Sequence, residues 1–256
     1  MSKVAVFEQP LNERVRNFLR FQFLFRRLDH HLNRSSAWDT HAALSTLLEI
    51  VNLTSRFDIK SEVMKELERQ NTAFQQFVDD PGVDDRRLAS VMARQKDFID
   101  ALHGQKGQIA HLAAQNEFLG AVRQRAAVSG STCSMDLPIY QFWLNTPIEK
   151  RREEISAWVE PMQTVRAAVE LTLEAIRKSS SATEQLAARG FYQQNLNLAR
   201  PLQLVKVSFR ERLDLFPEIS AGKHRFTIRF LEHVSVNKRP EQTQDDVAFL
   251  LTCCAI

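Results

Sequence analysis

Seven glycines in 256 residues is well under the usual share of about 7%. Phosphate-cradling loops need several glycines close together, so this scarcity argues against nucleotide binding and for long helices. Neither a P-loop nor Gly-x-Gly-x-x-Gly nor His-Glu-x-x-His occurs. Cysteine is also sparse: Cys133, Cys253 and Cys254. An odd count with two neighbours is no disulfide framework and points to a reducing, cytoplasmic compartment. Zinc would need a second pair beside Cys253-Cys254, so these read as strand cysteines. No apolar run approaches the ~18 residues of a membrane span, and charges interrupt residues 1–20 where a leader's apolar stretch would sit. The seven histidines are scattered. The Gly130-Ser-Thr-Cys133-Ser loop has no base or orienting group nearby in a known order, so its hydroxyls read as turn satisfiers. These gaps predict a protein without cofactor, metal or catalytic activity, which works by binding.

What is present is a globular composition, 44% apolar and 25% charged, in a chain long enough to bury a core without staples. The net charge is only +3, but it is unevenly spread. Residues 11–34 hold Arg14, Arg16, Arg20, Arg26, Arg27 and Arg34 against Glu13 and Asp29. Residues 200–229 hold Arg200, Lys206, Arg210, Arg212, Lys223, Arg225 and Arg229 against Glu211, Asp214 and Glu218. Two basic segments on a near-neutral body suit an acidic partner. Nucleic acid is the alternative reading, though no helix-turn-helix, zinc-finger or RNA-binding motif supports it.

Apolar spacing of three and four predicts helices from about Glu13, capped by Asn12, with a stripe of Val15, Phe18, Leu19, Phe23, Leu24, Leu28 and Leu32. Further helices are expected from Asp39 or Thr40, over 58–78, after Asp84-Asp85, over 109–128, over 147–159, and from Pro161 to about Lys178. Residues 135–144 fit strand or helix. Ser179–Ala182 reads as a break, and after about residue 186 the period becomes two. Val205, Val207 and Phe209 then share one face of a strand over 202–209, and the last run, from Val247, reads as another. Residues 3–8 form an N-terminal strand ended by Pro10, expected to join that sheet because a lone strand is unstable. The prediction is an α+β fold: a helical bundle domain over 11–180, and a smaller β-rich domain over 186–256 with 1–10.

The sharpest local signal is 225–231. Phe226, Ile228 and Phe230 alternate with Arg225, Thr227 and Arg229. On a strand the two arginines project from one face about 13 Å apart at ~3.3 Å per residue, just after Lys223. Guanidinium forks pair with carboxylates in two-bond geometry, so such a face suits an extended acidic peptide. An ordinary solvated strand face reads equally well from spacing alone. The Arg-rich first helix reads as a solvated face whose arginine stems cover apolar surface.

Several stretches occur together in order: Phe7-Glu-Gln-Pro-Leu-Asn-Glu-Arg-Val-Arg16, Met64-Lys-Glu-Leu-Glu-Arg-Gln70, Val122-Arg-Gln-Arg125, Cys133-Ser-Met-Asp-Leu-Pro138, Trp143-Leu144, Gly190-Phe-Tyr-Gln193, Phe216-Pro-Glu-Ile-Ser220 and Lys223-His-Arg-Phe-Thr-Ile-Arg-Phe230. Their ordered sum, from residue 6 to residue 254, resembles ZapD, a family of bacterial cell-division proteins that associate with FtsZ. Ser131 and Met135 depart from the family's pattern, away from the basic positions. The resemblance implies a homodimer of a helical and a β-rich domain. It implies binding of the C-terminal peptide of FtsZ through a basic patch, and bundling of FtsZ filaments at the mid-cell division ring. The positions matching that patch are Arg56, Arg225 and Arg229, with Lys223 beside them. Neither nucleic acid nor membrane insertion is implied.

Overall fold

A computed structural model describes residues 4–78, 80–82, 84–197, 201–210, 214–233 and 235–256. Lys3, Arg200, Glu211 and Arg212, all used in the sequence reading, lie outside the described residues. The fold is α+β, with helices in the middle of the chain and strands from both ends. The chain divides into two compact units, one of residues 17–172 and one of residues 1–16 with 173–256.

The first helices are α1 (Glu13–Leu32), α2 (Ala37–Arg56), α3 (Ile59–Gln75) and α4 (Asp85–Gly104). They start where short polar side chains accept the orphan N–H groups of a first turn. Asn12 accepts from Val15 N at 2.8 Å, and Asp58 from Ser61 N at 3.1 Å. Asp84 accepts from Arg86 and Arg87 N, both at 3.1 Å. The second helix begins earlier than Asp39 or Thr40, because the hydroxyl of Ser36 takes the cap and accepts from Asp39 N at 2.9 Å. The α1 stripe also shifts. Phe21 and Phe25 are fully buried and pack ring to ring at 4.7 Å. Phe23 instead turns outward, with the Arg27 guanidinium over its ring at 5.9 Å.

The expected helix over 109–128 is two helices, α5 (His111–Gln115) and α6 (Glu117–Ala126). Asn116 breaks it. Its backbone is extended, and its side chain accepts from Leu119 N at 2.9 Å, restarting the helix. The ambiguous stretch is helical, α7 (Pro138–Leu144), with Pro138 in the first turn, where its missing N–H costs nothing. It buries Tyr140 and Trp143 beside Phe118. α8 (Ile148–Val159) follows. A 3-10 turn over Glu160–Met162 holds Pro161, and α9 (Gln163–Lys178) ends the helical run. A buried polar chain ties α3 to α4: Gln95 Nε2 donates to Gln70 Oε1 at 2.9 Å, and Gln70 Nε2 to Glu66 Oε1 at 3.2 Å.

The other unit contains β1 (Val4–Pro10), β2 (Thr183–Ala187), β3 (Phe191–Asn195), β4 (Leu204–Arg210), β5 (Leu215–Ala221), β6 (Arg225–Glu232), β7 (Glu241–Gln242) and β8 (Val247–Cys254). One sheet has the order β1-β4-β8-β2, and every pairing in it is antiparallel. The other has the order β3-β6-β5, with β7 also on β6. The N-terminal strand does join a C-terminal sheet, pairing Val4 with Arg210 through Pro10 with Leu204. Val205, Val207 and Phe209 from the first sheet meet Phe226, Ile228 and Phe230 from the second in one buried core. Phe230 stacks edge-on to Phe209 at 5.3 Å. Each such buried side chain contributes roughly 2 kcal/mol of transfer free energy, and this fixes the strand register, since a one-residue slip would expose all three.

Candidate partner-binding surface

The core decides where the arginines go. Because Phe226, Ile228 and Phe230 face inward, Arg225 and Arg229 must face outward on β6, the central strand of its sheet. Both are exposed, as is Lys223 in the turn that joins β5 to β6. That turn is closed by Gly222 N donating to Arg225 O at 2.9 Å. Among the described residues, Arg225 makes no ion pair.

The neighbouring strands supply a mixed border. Opposite Arg229 stand Phe191 on β3 and Glu218 on β5. Phe191 is 41% exposed, an apolar ring beside a guanidinium. Glu218 lies 3.9 Å from Arg229, with both side chains at least half exposed, so the pair is loose. Gln242 on β7 accepts from Arg229 Nε at 3.4 Å, and its amide donates to Arg189 O at 2.8 Å. Opposite Arg225 stands Asn195. This face can therefore offer two forked cations, an aromatic ring and amide side chains to an extended ligand, with one carboxylate competing for Arg229.

Gly190 sets the position of Phe191. It turns the chain between β2 and β3 with φ +68. A methyl group there would stand 2.6 Å from Thr243 Cγ2 and 3.1 Å from Phe230 O. Glycine is thus required both by the left-handed backbone and by the close approach.

Arg56 is the last residue of α2, in the helical unit. Phe57 leaves the helix in extended conformation and Asp58 caps α3, so the corner holds Arg56 out in solvent. The hydrogen bond from Ser61 holds the Asp58 carboxyl below its usual range, despite partial burial. Arg56 lines a groove of about 360 Å³ with Thr54, Ser55, Lys60 and Gly107. Lys60 there donates to Gln105 O. Of the four basic residues expected at the site, the fold thus brings Arg225, Arg229 and Lys223 onto one hairpin, and places Arg56 at a helix corner of the other unit.

The sequence does not assign Phe191, Glu218 or Gln242 to the binding face. The alternation in Phe191-Tyr-Gln-Gln-Asn195 was the available signal for the first. The pairing that places the other two beside Arg229 is a tertiary fact.

Other titratable groups are built into the fold. Burial pushes the Cys254 thiol up to about 11 and raises Cys253. Among the described residues no cluster of three His, Cys, Asp or Glu could hold a metal ion, and no helix is long and apolar enough to cross a membrane.

Comparison with known proteins agrees along the whole chain. The family model "ZapD: Cell division protein" matches residues 19–229. "Cell division protein ZapD" of Methylococcus capsulatus is 40% identical over 256 residues, covering 100% of both chains. The protein of that name from Chromobacterium violaceum is 35% identical over 248 residues, covering 97% of this chain and 98% of its own. The chain belongs to the ZapD family of cell-division proteins.

Proposed function

We propose that this chain binds the C-terminal peptide of FtsZ and, as a homodimer, crosslinks FtsZ filaments into bundles at the mid-cell division ring, in the cytoplasm. It is a binding protein and not an enzyme. The observation that carries the reading is the outward pair Arg225 and Arg229 on the central strand β6, with an exposed Phe191 directly across from Arg229. The tail's carboxylates meet Arg225, Arg229 and Lys223 on the hairpin, and Arg56, on its own unit, is a separate basic contact for an FtsZ tail. An apolar side chain of the tail docks on Phe191.

Each charge-assisted contact gives about 1.5–3 kcal/mol when shielded and far less when exposed. A single tail therefore binds in the micromolar range, roughly −8 kcal/mol. Bundling comes from multivalency: once one site of a dimer is engaged on a polymer, the second sees tails at high effective concentration. Calorimetric titration with the FtsZ tail peptide across ionic strength tests the electrostatic part. Affinity falls steadily as salt rises from ~0.05 to ~0.5 M and the screening length shrinks. An affinity indifferent to salt would remove the arginines from the contact.

A further inference from the structure

We infer that Arg189 is a further cation of the face that carries Arg225 and Arg229, and that it takes an acidic side chain of the FtsZ tail; the inference rests on the tail-binding reading above. Arg189 and Gly190 form the two-residue turn between β2 and β3, flanked by the bridge of Ala188 with Phe191. Both have positive φ, +47 for Arg189 and +68 for Gly190. Such turns favour asparagine, aspartate or glycine at the first position, because a β-carbon and a long side chain crowd the left-handed backbone. Among the described residues, Arg189 is the only one besides glycine with a positive φ. The fold pins it there. Arg189 N donates to Asp246 Oδ1 at 2.8 Å, and its carbonyl accepts from Gln242 Nε2 at 2.8 Å. Gly190 N donates to Ala187 O at 3.2 Å, and Gly190 O accepts from Phe230 N at 2.8 Å. All four bonds use backbone atoms of the turn, so asparagine at 189 would keep every one. The Arg189 side chain is exposed, and its guanidinium makes no hydrogen bond or ion pair among the described residues. A costly backbone conformation thus holds a cation that has no work within the fold.

The turn stands at the Arg229 end of the face. Gln242 joins the two arginines: its Oε1 accepts from Arg229 Nε at 3.4 Å while its Nε2 holds the Arg189 carbonyl. Gln242 pairs with Leu231, two residues beyond Arg229 on β6. Phe191, directly across from Arg229, follows Arg189 by two residues and is exposed. An apolar side chain of the tail seated on that ring therefore has Arg229 across from it and Arg189 at the turn end of the same strand. Glu218, which competes for Arg229, stands on β5, two strands from β3 in the sheet order. Asp246 is engaged on the backbone N–H of Arg189 and not on its guanidinium. Arg189 thus offers an uncontested fork to a carboxylate beside the docked apolar side chain.

The test is fluorescence anisotropy with a labelled FtsZ tail peptide, on the full chain and three variants: Arg189→Asn, Arg86→Asn and the Arg225→Glu/Arg229→Glu double variant. Asparagine suits the left-handed position, so Arg189→Asn should fold and melt at or above the wild-type temperature. Arg86 is exposed in the first turn of α4, in the other unit, and its substitution removes the same charge at a distance. Arg189→Asn should weaken tail affinity about two- to fivefold at ~0.05 M salt, the range that exposed charge pairs give, while Arg86→Asn leaves it unchanged. With a peptide whose acidic side chains are replaced by amides, the wild type and Arg189→Asn should bind alike. A folded Arg189→Asn that binds the native peptide as the wild type does, while the double variant fails to bind, overturns the role of Arg189 alone. An equal loss in Arg189→Asn and Arg86→Asn overturns it too, since net charge and not contact would then be the cause. No binding by the wild type, or undiminished binding by the double variant, sinks the tail-face reading and this inference with it.

Discussion

Replacing Glu218 with Gln should tighten binding of the FtsZ tail. Glu218 Oε2 lies 3.9 Å from Arg229 Nη1, with the two side chains 58% and 50% exposed. It is the one carboxylate directly across from either arginine in the strand pairings of β6. An incoming tail carboxylate must share Arg229 with it or displace it. In water-like surroundings two unit charges at about 4 Å interact by ~1 kcal/mol, and exposed pairs measured by mutant cycles give about 0.2–1 kcal/mol. Removing the competitor should therefore strengthen tail binding about two- to fivefold at ~0.05 M salt. Near ~1 M salt, where the screening length is about 3 Å, the gain should vanish. Fluorescence anisotropy with a labelled tail peptide reads this directly. The same substitution in an Arg229→Gln background should gain less, because the competed cation is gone; the difference is the coupling between the two positions. Unchanged or weaker binding by Glu218→Gln at low salt would refute the claim that Arg229 meets a tail carboxylate.

Gly190→Ala should destabilise the protein by at least ~2 kcal/mol, since the new methyl meets Thr243 and Phe230 O in a left-handed backbone; urea unfolding measures it, and a shift under ~0.5 kcal/mol would contradict the packing described. The His41 ring shares a 2.7 Å hydrogen bond with the Tyr140 hydroxyl, and burial lowers its pKa from 6.5. The unfolded chain then binds a proton more readily than the folded one between that lowered value and 6.5, so the stability is full above 6.5 and is lost as pH falls through the folded value. Thermal melts from about pH 7.5 to 5 should show the loss, and His41→Phe should flatten that slope; an equal slope in both proteins would exclude His41 as its source.

The arginine face was readable from the sequence because strand period and charge coincide in Arg225-Phe-Thr-Ile-Arg-Phe230, and a half-buried strand leaves no other register. The apolar runs behind β4 and β8, and the N-terminal strand, were readable for the same reason. β3 and β5 were not singled out. Phe191-Tyr-Gln-Gln-Asn195 has little apolar content, and Leu215–Ala221 carries Pro217, which is tolerated because β5 lies at the end of its sheet. The break at Asn116 escaped because apolar periodicity runs across it, and one asparagine serves as both the end of α5 and the cap of α6. Phe23 was misplaced because i, i+4 spacing cannot choose between two overlapping aromatic stripes when Phe21 and Phe25 also fit. Arg56 was identifiable only through the family resemblance. Nothing in Thr54-Ser-Arg-Phe-Asp58 marks it, and its exposure follows from where α2 ends.

The central claim is most directly tested by co-pelleting with polymerised FtsZ. Three mixtures are spun: this protein with intact FtsZ, this protein with FtsZ lacking its C-terminal peptide, and the folded Arg225→Glu/Arg229→Glu double variant with intact FtsZ. The account predicts co-pelleting and bundles in the first alone. Equal co-pelleting in all three would contradict the tail and arginine contact, and none in the first would contradict FtsZ as the partner.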